Sequence, residues 1–290
     1  MQWGDTGLDD RQLDFVRRAV PGARVVSNDS WGLLDTVVLH VVGDHHDVTV
    51  KASGPTNTHF PRELLAHRAW TAPLVASGDT GALLAADEAV RVLVLDRVPG
   101  HLALGTADEH APDVHRQSGA LLRRLHDQHA VRDDGYLRAE TAKTLATLDT
   151  PHRIEPPIAD RVRGLLARFE PTPVTLVPTH GDWQPRNWIV DDGRLRMIDF
   201  GRFSLRPRSS DLTRLAVLHW QVDPALEQAF FEGYGQDPRE PDAWRWLQLR
   251  EAVGTAVWAF AVGDERFEAQ GHRMLADALA AFDRPSPCDR

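Results

Sequence analysis

The segment His180-Gly181-Asp182-Trp183-Gln184-Pro185-Arg186-Asn187, followed by Ile198-Asp199-Phe200-Gly201, gathers a carboxylate, a carboxamide and a second carboxylate around a short strand hairpin. Phosphoryl transfer uses that set: one group orients and deprotonates an attacking hydroxyl, and two hold magnesium on nucleotide phosphates. Asp182, in a loop after a strand, can accept a hydrogen bond from a substrate hydroxyl, align it for in-line attack and take its proton late. Asn187 offers the hard oxygen donor that magnesium prefers. Asp199 adds a charged ligand that bridges to the phosphates through the metal. Taken singly, Asp182 and Asn187 read equally well as turn residues and Asp199 as a helix cap. Their occurrence in one strand–loop–strand–loop unit favours the chemistry.

The elements that must position these groups fall into two stretches. Leu8 to Val20 has the apolar spacing of a short amphipathic helix, ended by Pro21-Gly22. Residues 37–42 and 48–51 are β-rich runs around Gly43-Asp44-His45-His46-Asp47, a hairpin signal. Pro61 suits a helix start, with Glu63 to Trp70 continuing it. Residues 82–86 and 90–95 read as another strand pair. From Pro112 onward the pattern is helical: 112–129, 139–148, 157–169, 209–219, 224–234, 241–262 and 265–282. Short strands at 174–177, 188–190 and 195–198 bracket the opening motif. The tail Arg284-Pro285-Ser286-Pro287 reads as frayed.

A chain of 290 residues can bury a sizeable core. Its net charge of −9 argues against nucleic acid or an anionic membrane as the main partner. The single cysteine, Cys288, precludes an intrachain disulfide and fits a reducing cytoplasm. The N-terminal residues show no secretion signal, and the longest apolar run, near Ala252 to Val262, is too short to span a bilayer. Fourteen histidines raise a zinc hydrolase, but no His-Glu-x-x-His or comparable ligand spacing occurs. Lysine is scarce: Lys51 and Lys143 are the only two, so a lysine at a strand end carries unusual weight.

His-Gly-Asp, four residues, Asn, then Ile-Asp-Phe-Gly resembles the catalytic segment of the aminoglycoside phosphotransferase and choline kinase-like family, small-molecule relatives of protein kinases. The resemblance spans nearly the whole chain and is most specific between residues 180 and 211. It implies an α+β, bilobal, protein-kinase-like fold. An N-terminal lobe with an antiparallel sheet and one helix (1–95) would bind nucleotide. A hinge (96–100) would join it to a larger, mainly helical catalytic and acceptor-binding lobe (101–290). It also implies Asp182 as catalytic base and Asn187 and Asp199 as magnesium ligands. His180 would brace the loop, and Asp211 in Arg208-Ser209-Ser210-Asp211-Leu212 would hold it by hydrogen bonds; a plain N-cap is compatible with that role. Lys51 falls where the family places the lysine that neutralises the α- and β-phosphates, with Glu63 as its positioning partner. A solvated strand-end lysine and a glutamate at the positive end of a helix dipole are the plainer readings. Leu93-Val94-Leu95-Asp96-Arg97-Val98-Pro99-Gly100 resembles the hinge, whose backbone at Asp96 and Val98 would read the adenine edge; an ordinary linker is the alternative.

The phosphate loop departs from the Gly-x-Gly-x-x-Gly of protein kinases. Ser27-Asn28-Asp29-Ser30-Trp31-Gly32 takes its place, where backbone N–H groups and Ser30 could cap the phosphates or simply form a polar turn. The cofactors implied are ATP, with GTP open, and Mg²⁺. The implied partner is a small hydroxylated acceptor, with no nucleic acid and no membrane, bound by a monomer or homodimer. Between Asp223 and Glu268, ten acidic residues face four arginines, which favours a cationic acceptor such as an amino sugar or reflects a solvated helical surface. Trp220, Trp244, Trp246 and Trp258 either stack on that acceptor or fill the core. An antibiotic acceptor leads. A metabolic kinase for an amino alcohol or sugar, and a catalytically silent nucleotide-binding protein, are the rivals; the complete Asp182, Asn187 and Asp199 set argues against the silent one.

Overall fold

The computed structural model describes residues 3–30 and 35–283. Trp31 and Gly32 of the expected phosphate loop, the tail from Arg284 and Cys288 lie outside the described residues. The first helix, α1 (Asp10–Ala19), begins at a reciprocal cap: Asp9 Oδ1 accepts from Gln12 N at 2.8 Å, and the Gln12 side chain accepts from Asp9 N at 3.2 Å. Strands β1 (Arg24–Asn28), β2 (Thr36–Val42) and β3 (Asp47–Ser53) follow, then α2 (His59–Ala69) and α3 (Ala72–Ala76). Asn57 Oδ1 accepts from the backbone of His59 and Phe60 at the start of α2. The helix therefore starts before Pro61, which sits in the first turn, where its missing N–H costs nothing. The hairpin β4 (Leu83–Asp87) and β5 (Val92–Asp96) completes an antiparallel sheet of order β1-β2-β3-β5-β4. Gln12 Nε2 donates to Val90 O at 3.0 Å and so ties α1 to that hairpin.

Strand alternation decides which side chains reach each face of this sheet. Val48, Val50, Ala52, Val92 and Val94 pack under Val16 and Val20 of α1. The opposite parity puts Leu93 and Leu95 under Phe60 and Leu64 of α2. Lys51 lies between Val50 and Ala52 and opposite Leu93, so its side chain emerges on the α2 face. One strand thus both anchors the core and presents a cation.

Beyond β5 come the two-residue strand β6 (His101–Leu102), α4 (Pro112–His126), β7 (Val131–Asp133), α5 (Tyr136–Thr147), α6 (Pro156–Arg168) and β8 (Val174–Thr179). The hairpin β9 (Trp188–Asp191) and β10 (Arg194–Met197) carries the motif; β9 also pairs with β6. Then follow β11 (Ser204–Arg206), the single turn α7 (Thr213–Leu215), α8 (Pro224–Tyr234), α9 (Pro241–Val262) and α10 (Glu265–Phe282). The helix expected over 209–219 is instead three short pieces: a 3₁₀ turn at Arg208–Leu212, α7, and a π turn at Ala216–Trp220.

The residues gather into two compact units: 1–128 with 178–204 and 223–235, and 129–177 with 205–222 and 236–290. These units do not follow the boundaries at residues 95 and 100 expected from the sequence. In the first unit α4 and α8 meet at glycines. A Cβ on Gly119 would lie 2.1 Å from the Phe230 carbonyl oxygen, and one on Gly233 would lie 1.9 Å from that of Arg116. Gln117 of α4 accepts from Leu195 N at 3.0 Å and donates to Gly193 O at 2.7 Å, which pins the β9–β10 hairpin to that helix. The second unit packs Val162 and Leu166 of α6 with Leu249, Val253 and Val257 of α9 and Leu275 and Leu279 of α10. Trp246 joins this core, between Phe169 (4.5 Å between ring centres) and Phe282 (4.8 Å). The other tryptophans differ: the Arg239 guanidinium lies over both Trp220 and Trp244, and Trp258 meets Phe267 edge-on. No helix among the described residues is long and apolar enough to cross a membrane.

Candidate active site

The loop between β8 and β9 is bent at Gly181, whose φ of +83° suits glycine, and closes with a 3₁₀ turn at Pro185–Asn187. The turn folds three side chains back onto Asp182. Its Oδ1 accepts from Gln184 Nε2 at 2.6 Å. Its Oδ2 accepts from Arg186 Nη2 at 2.5 Å and Nε at 3.1 Å, and from Asn187 Nδ2 at 3.1 Å. Asn187 Nδ2 also donates to the Asp182 carbonyl at 2.7 Å. With the amide nitrogen so engaged, the Asn187 Oδ1 is the atom left to act as a ligand. Behind the loop, His180 is fully buried; its Nε2 lies 2.9 Å from Ile198 O, and its ring contacts Trp183 and Phe200. The imidazole therefore couples the loop to the segment that carries Asp199.

Asp199 stands two residues past β10 with φ of +68°, a conformation that costs an ordinary side chain but that aspartate tolerates. Backbone held in this region is one of the forms of strain that concentrate at functional sites. Lys51 Nζ is 3.2 Å from Asp199 Oδ1 and 2.6 Å from Glu63 Oε1. Burial opposes charge on Lys51, but Asp199 and Glu63 outweigh it and hold the ammonium well above the ordinary lysine range. Burial likewise opposes the Asp199 carboxylate, and Lys51 outweighs it, leaving the group below its usual range. For Glu63 burial wins over the pull of Lys51, and its carboxyl titrates above the usual range.

One cavity of about 420 Å³ collects most of these groups: Lys51, Asn187 and Asp199, with Asp96 and Val98 of the hinge segment. Two oxygen donors, Asn187 Oδ1 and the Asp199 carboxylate, thus face a common space beside a buried cation. That donor set fits a hard divalent ion such as magnesium. In the hinge segment, Asp96 N donates to Ala82 O and Arg97 N to Asp47 O. Their amides are therefore spent on the sheet and leave Val98 to offer an N–H. Ser30 is not among the lining residues; its hydroxyl accepts from Val38 N at 2.9 Å, whereas its neighbour Asp29 lines the cavity and pairs with Arg97 at 3.5 Å. Glu63 reaches the site through Lys51 and through the Phe200 backbone N–H, next to Asp199. Asp211 is buried in the 3₁₀ turn of the second unit.

Three lining or supporting residues escape a reading of the sequence. Arg186 and Gln184 hold Asp182, and His67 lines the cavity one helical turn after Glu63, edge-on to Phe200. The i,i+4 spacing of Glu63 and His67 is the one signal that marks the latter. A second cavity, of about 460 Å³, lies in the second unit and is lined by Gln221, Gln248, Glu251 and Asp277 around Val217 and Met274.

Residues 48–247 match the family model of the phosphotransferase enzyme family, and the chain belongs to that family. It is a small-molecule kinase with a protein-kinase-like α+β fold. An aminoglycoside 3'-phosphotransferase of Streptomyces fradiae is 29% identical over 184 residues, which cover 57% of this chain and 68% of that one. The macrolide 2'-phosphotransferase of Brachybacterium faecium has a similar structure, with a TM-score of 0.61 at 20% identity over 96% of this chain and 99% of that one. The choline kinase of Streptococcus pneumoniae gives a TM-score of 0.65 at 15% identity, covering 92% and 97%. A spectinomycin phosphotransferase in complex with ADP and spectinomycin gives 0.58 at 11% identity, covering 96% and 100%.

Proposed function

We propose that this kinase moves the γ-phosphate of ATP to a hydroxyl of a small antibiotic, an aminoglycoside in the first instance, and so belongs to resistance by modification. One observation carries the chemistry: Lys51, Asn187 and Asp199 line a single cavity, and Asn187 is hydrogen-bonded directly to Asp182. In this reading residues 1–95 hold the nucleotide, with the Asp96 carbonyl and Val98 N–H at the adenine edge, and residues 101–290 supply catalysis and the acceptor site. Lys51, positioned by Glu63, meets the α- and β-phosphates. Asn187 and Asp199 would hold Mg²⁺, which when bound offsets phosphate charge. His180 supports the loop. Asp182 accepts the acceptor hydroxyl proton as the acceptor oxygen bonds to the γ-phosphorus, and the bond from that phosphorus to the bridging oxygen breaks toward ADP.

The likeness to the aminoglycoside enzyme favours an amine-bearing polyol. So does the net charge of −9. The test is a screen of aminoglycosides, other hydroxylated antibiotics, amino alcohols and sugars with ATP and magnesium, read by the mass of phosphorylated product. Product from an amino alcohol alone would move the enzyme into metabolism. No product from any acceptor, with nucleotide still bound, would mark a silent nucleotide-binding protein. For the productive pair, Asp182→Asn should lower kcat by at least about 10²-fold with nucleotide affinity retained; near-normal turnover would remove Asp182 as the base.

A further inference from the structure

The Asp182 carboxylate has a difficulty as a base. Donors of its own loop already occupy both of its oxygens: Gln184 on Oδ1, Arg186 and Asn187 on Oδ2. Three N–H groups converge on Oδ2, so a hydroxyl proton cannot be accepted on that oxygen until one of them yields. Asn187 is buried and fixed by the Asp182 backbone carbonyl, and Gln184 is buried beside it. Arg186 is different: about a third of its side chain is exposed (32%), and it lines the cavity that holds Lys51, Asn187 and Asp199. Lys51 is committed to Glu63 and Asp199, and Arg97, the other lining arginine, stands on the hinge segment beside Asp29.

We propose that Arg186 changes partner during the reaction. Without nucleotide it pairs with Asp182 and keeps Oδ2 closed; with a triphosphate in the cavity it turns to the γ-phosphoryl oxygens and frees Oδ2 for the acceptor hydroxyl. A guanidinium is suited to both states, since carboxylate and phosphate oxygens match its planar fork equally well. The same group then balances charge on the phosphoryl as its bond to ADP lengthens. A diphosphate, which lacks the γ-phosphoryl, leaves Arg186 on Asp182. The exchange makes the presence of the third phosphate the condition for an active base, and it guards against proton transfer at an empty site.

This inference rests on the kinase reading, and nucleotide binding separates the two. Calorimetric titrations with magnesium would compare ADP with a non-hydrolysable ATP analogue, for the wild type, Arg186→Gln and Arg186→Lys. Arg186→Gln should weaken the triphosphate analogue by about tenfold or more and change ADP by less than about twofold. Arg186→Lys should fall between, because a point charge restores attraction without the fork. With an acceptor identified, kcat for Arg186→Gln should fall by roughly 10²–10³-fold. Equal weakening of both nucleotides, or of neither, overturns the exchange and leaves Arg186 a brace for the loop. A wild type that binds neither nucleotide overturns the kinase reading and the inference with it. Arg186→Lys keeps the comparison available should the neutral variant unfold.

Discussion

His67 shows how a residue outside the proposed chemistry can set the acid limit of the fold around the site. It lies on α2 one turn beyond Glu63, against Phe200, and burial followed by the nearby Lys51 ammonium depresses its pKa to about 4. In the unfolded chain the same imidazole titrates near 6.5. Between those values the unfolded state binds the extra proton, so stability is complete above pH 6.5 and is lost as pH falls toward 4. Going from about pH 7.5 to pH 5, this one group should cost roughly 2 kcal/mol. His67→Leu should lose that much less stability than the wild type over the same interval, as urea unfolding midpoints would show; parallel losses would place the acid sensitivity elsewhere. At this scale the sequence was partly legible. Lys51, Asp182, Asn187 and Asp199 are marked by type and spacing, and the structure brings three of them to one cavity with Asp182 hydrogen-bonded to Asn187. Gln184, Arg186 and His67 are not, because a long side chain's partner depends on a loop's path. Ser30 illustrates the reverse: its hydroxyl was a plausible phosphate cap on type alone, yet it spends that oxygen on the β2 backbone.

At the scale of elements, periodicity found the sheet, α1, α2 and the long helices because each has a buried face. It found the site hairpin because Trp188 to Val190 are apolar and Leu195 and Met197 alternate with Arg196 across a turn. It missed β1, β6, β7 and β11, none longer than five residues. β1 also carries an irregularity between Val25 and Ser27 that breaks the alternation a reader would look for. It read 209–219 as one helix because a 3.6-residue repeat does not register a change to 3₁₀ or π winding. Helix contact by close backbone approach was also invisible, since a glycine inside a helix reads as a weakness. Gly119→Val tests this. The new side chain meets the Phe230 carbonyl before it meets any flexible group, so α4 and α8 must part or the helix must shift. A loss of roughly 2–4 kcal/mol in unfolding free energy is expected, with Gly254→Ala, where a Cβ meets nothing within 4 Å, as the tolerant control.

For the whole molecule, the excess of ten acids over four arginines between Asp223 and Glu268 divides into separate local arrangements. Glu232 pairs with Arg116, Asp237 with Arg239, Asp242 with Arg245, and Glu268 with Arg153. Glu251 and, from the last helix, Asp277 instead line a cavity. Charge relevant to an acceptor is thus a small part of the charge counted in the sequence, which is why composition pointed to cations without pointing to a place. If this cavity serves the acceptor, Glu251→Gln with Asp277→Asn should raise KM for an amine-bearing acceptor by about tenfold and leave nucleotide affinity unchanged. An unchanged KM would relegate both carboxylates to the solvated surface.

The scarcity of lysine has a practical outcome. Lys143 has an open side chain (74% exposed), whereas Lys51 is shielded (13%) and locked between two carboxylates. A reagent that acylates amines should therefore modify Lys143 readily and Lys51 only when its pairing opens, so two peptides in a mass spectrum suffice to footprint the nucleotide site. Nucleotide-tethered acyl donors should invert that order, turning the scarcity of lysine into a built-in covalent reporter.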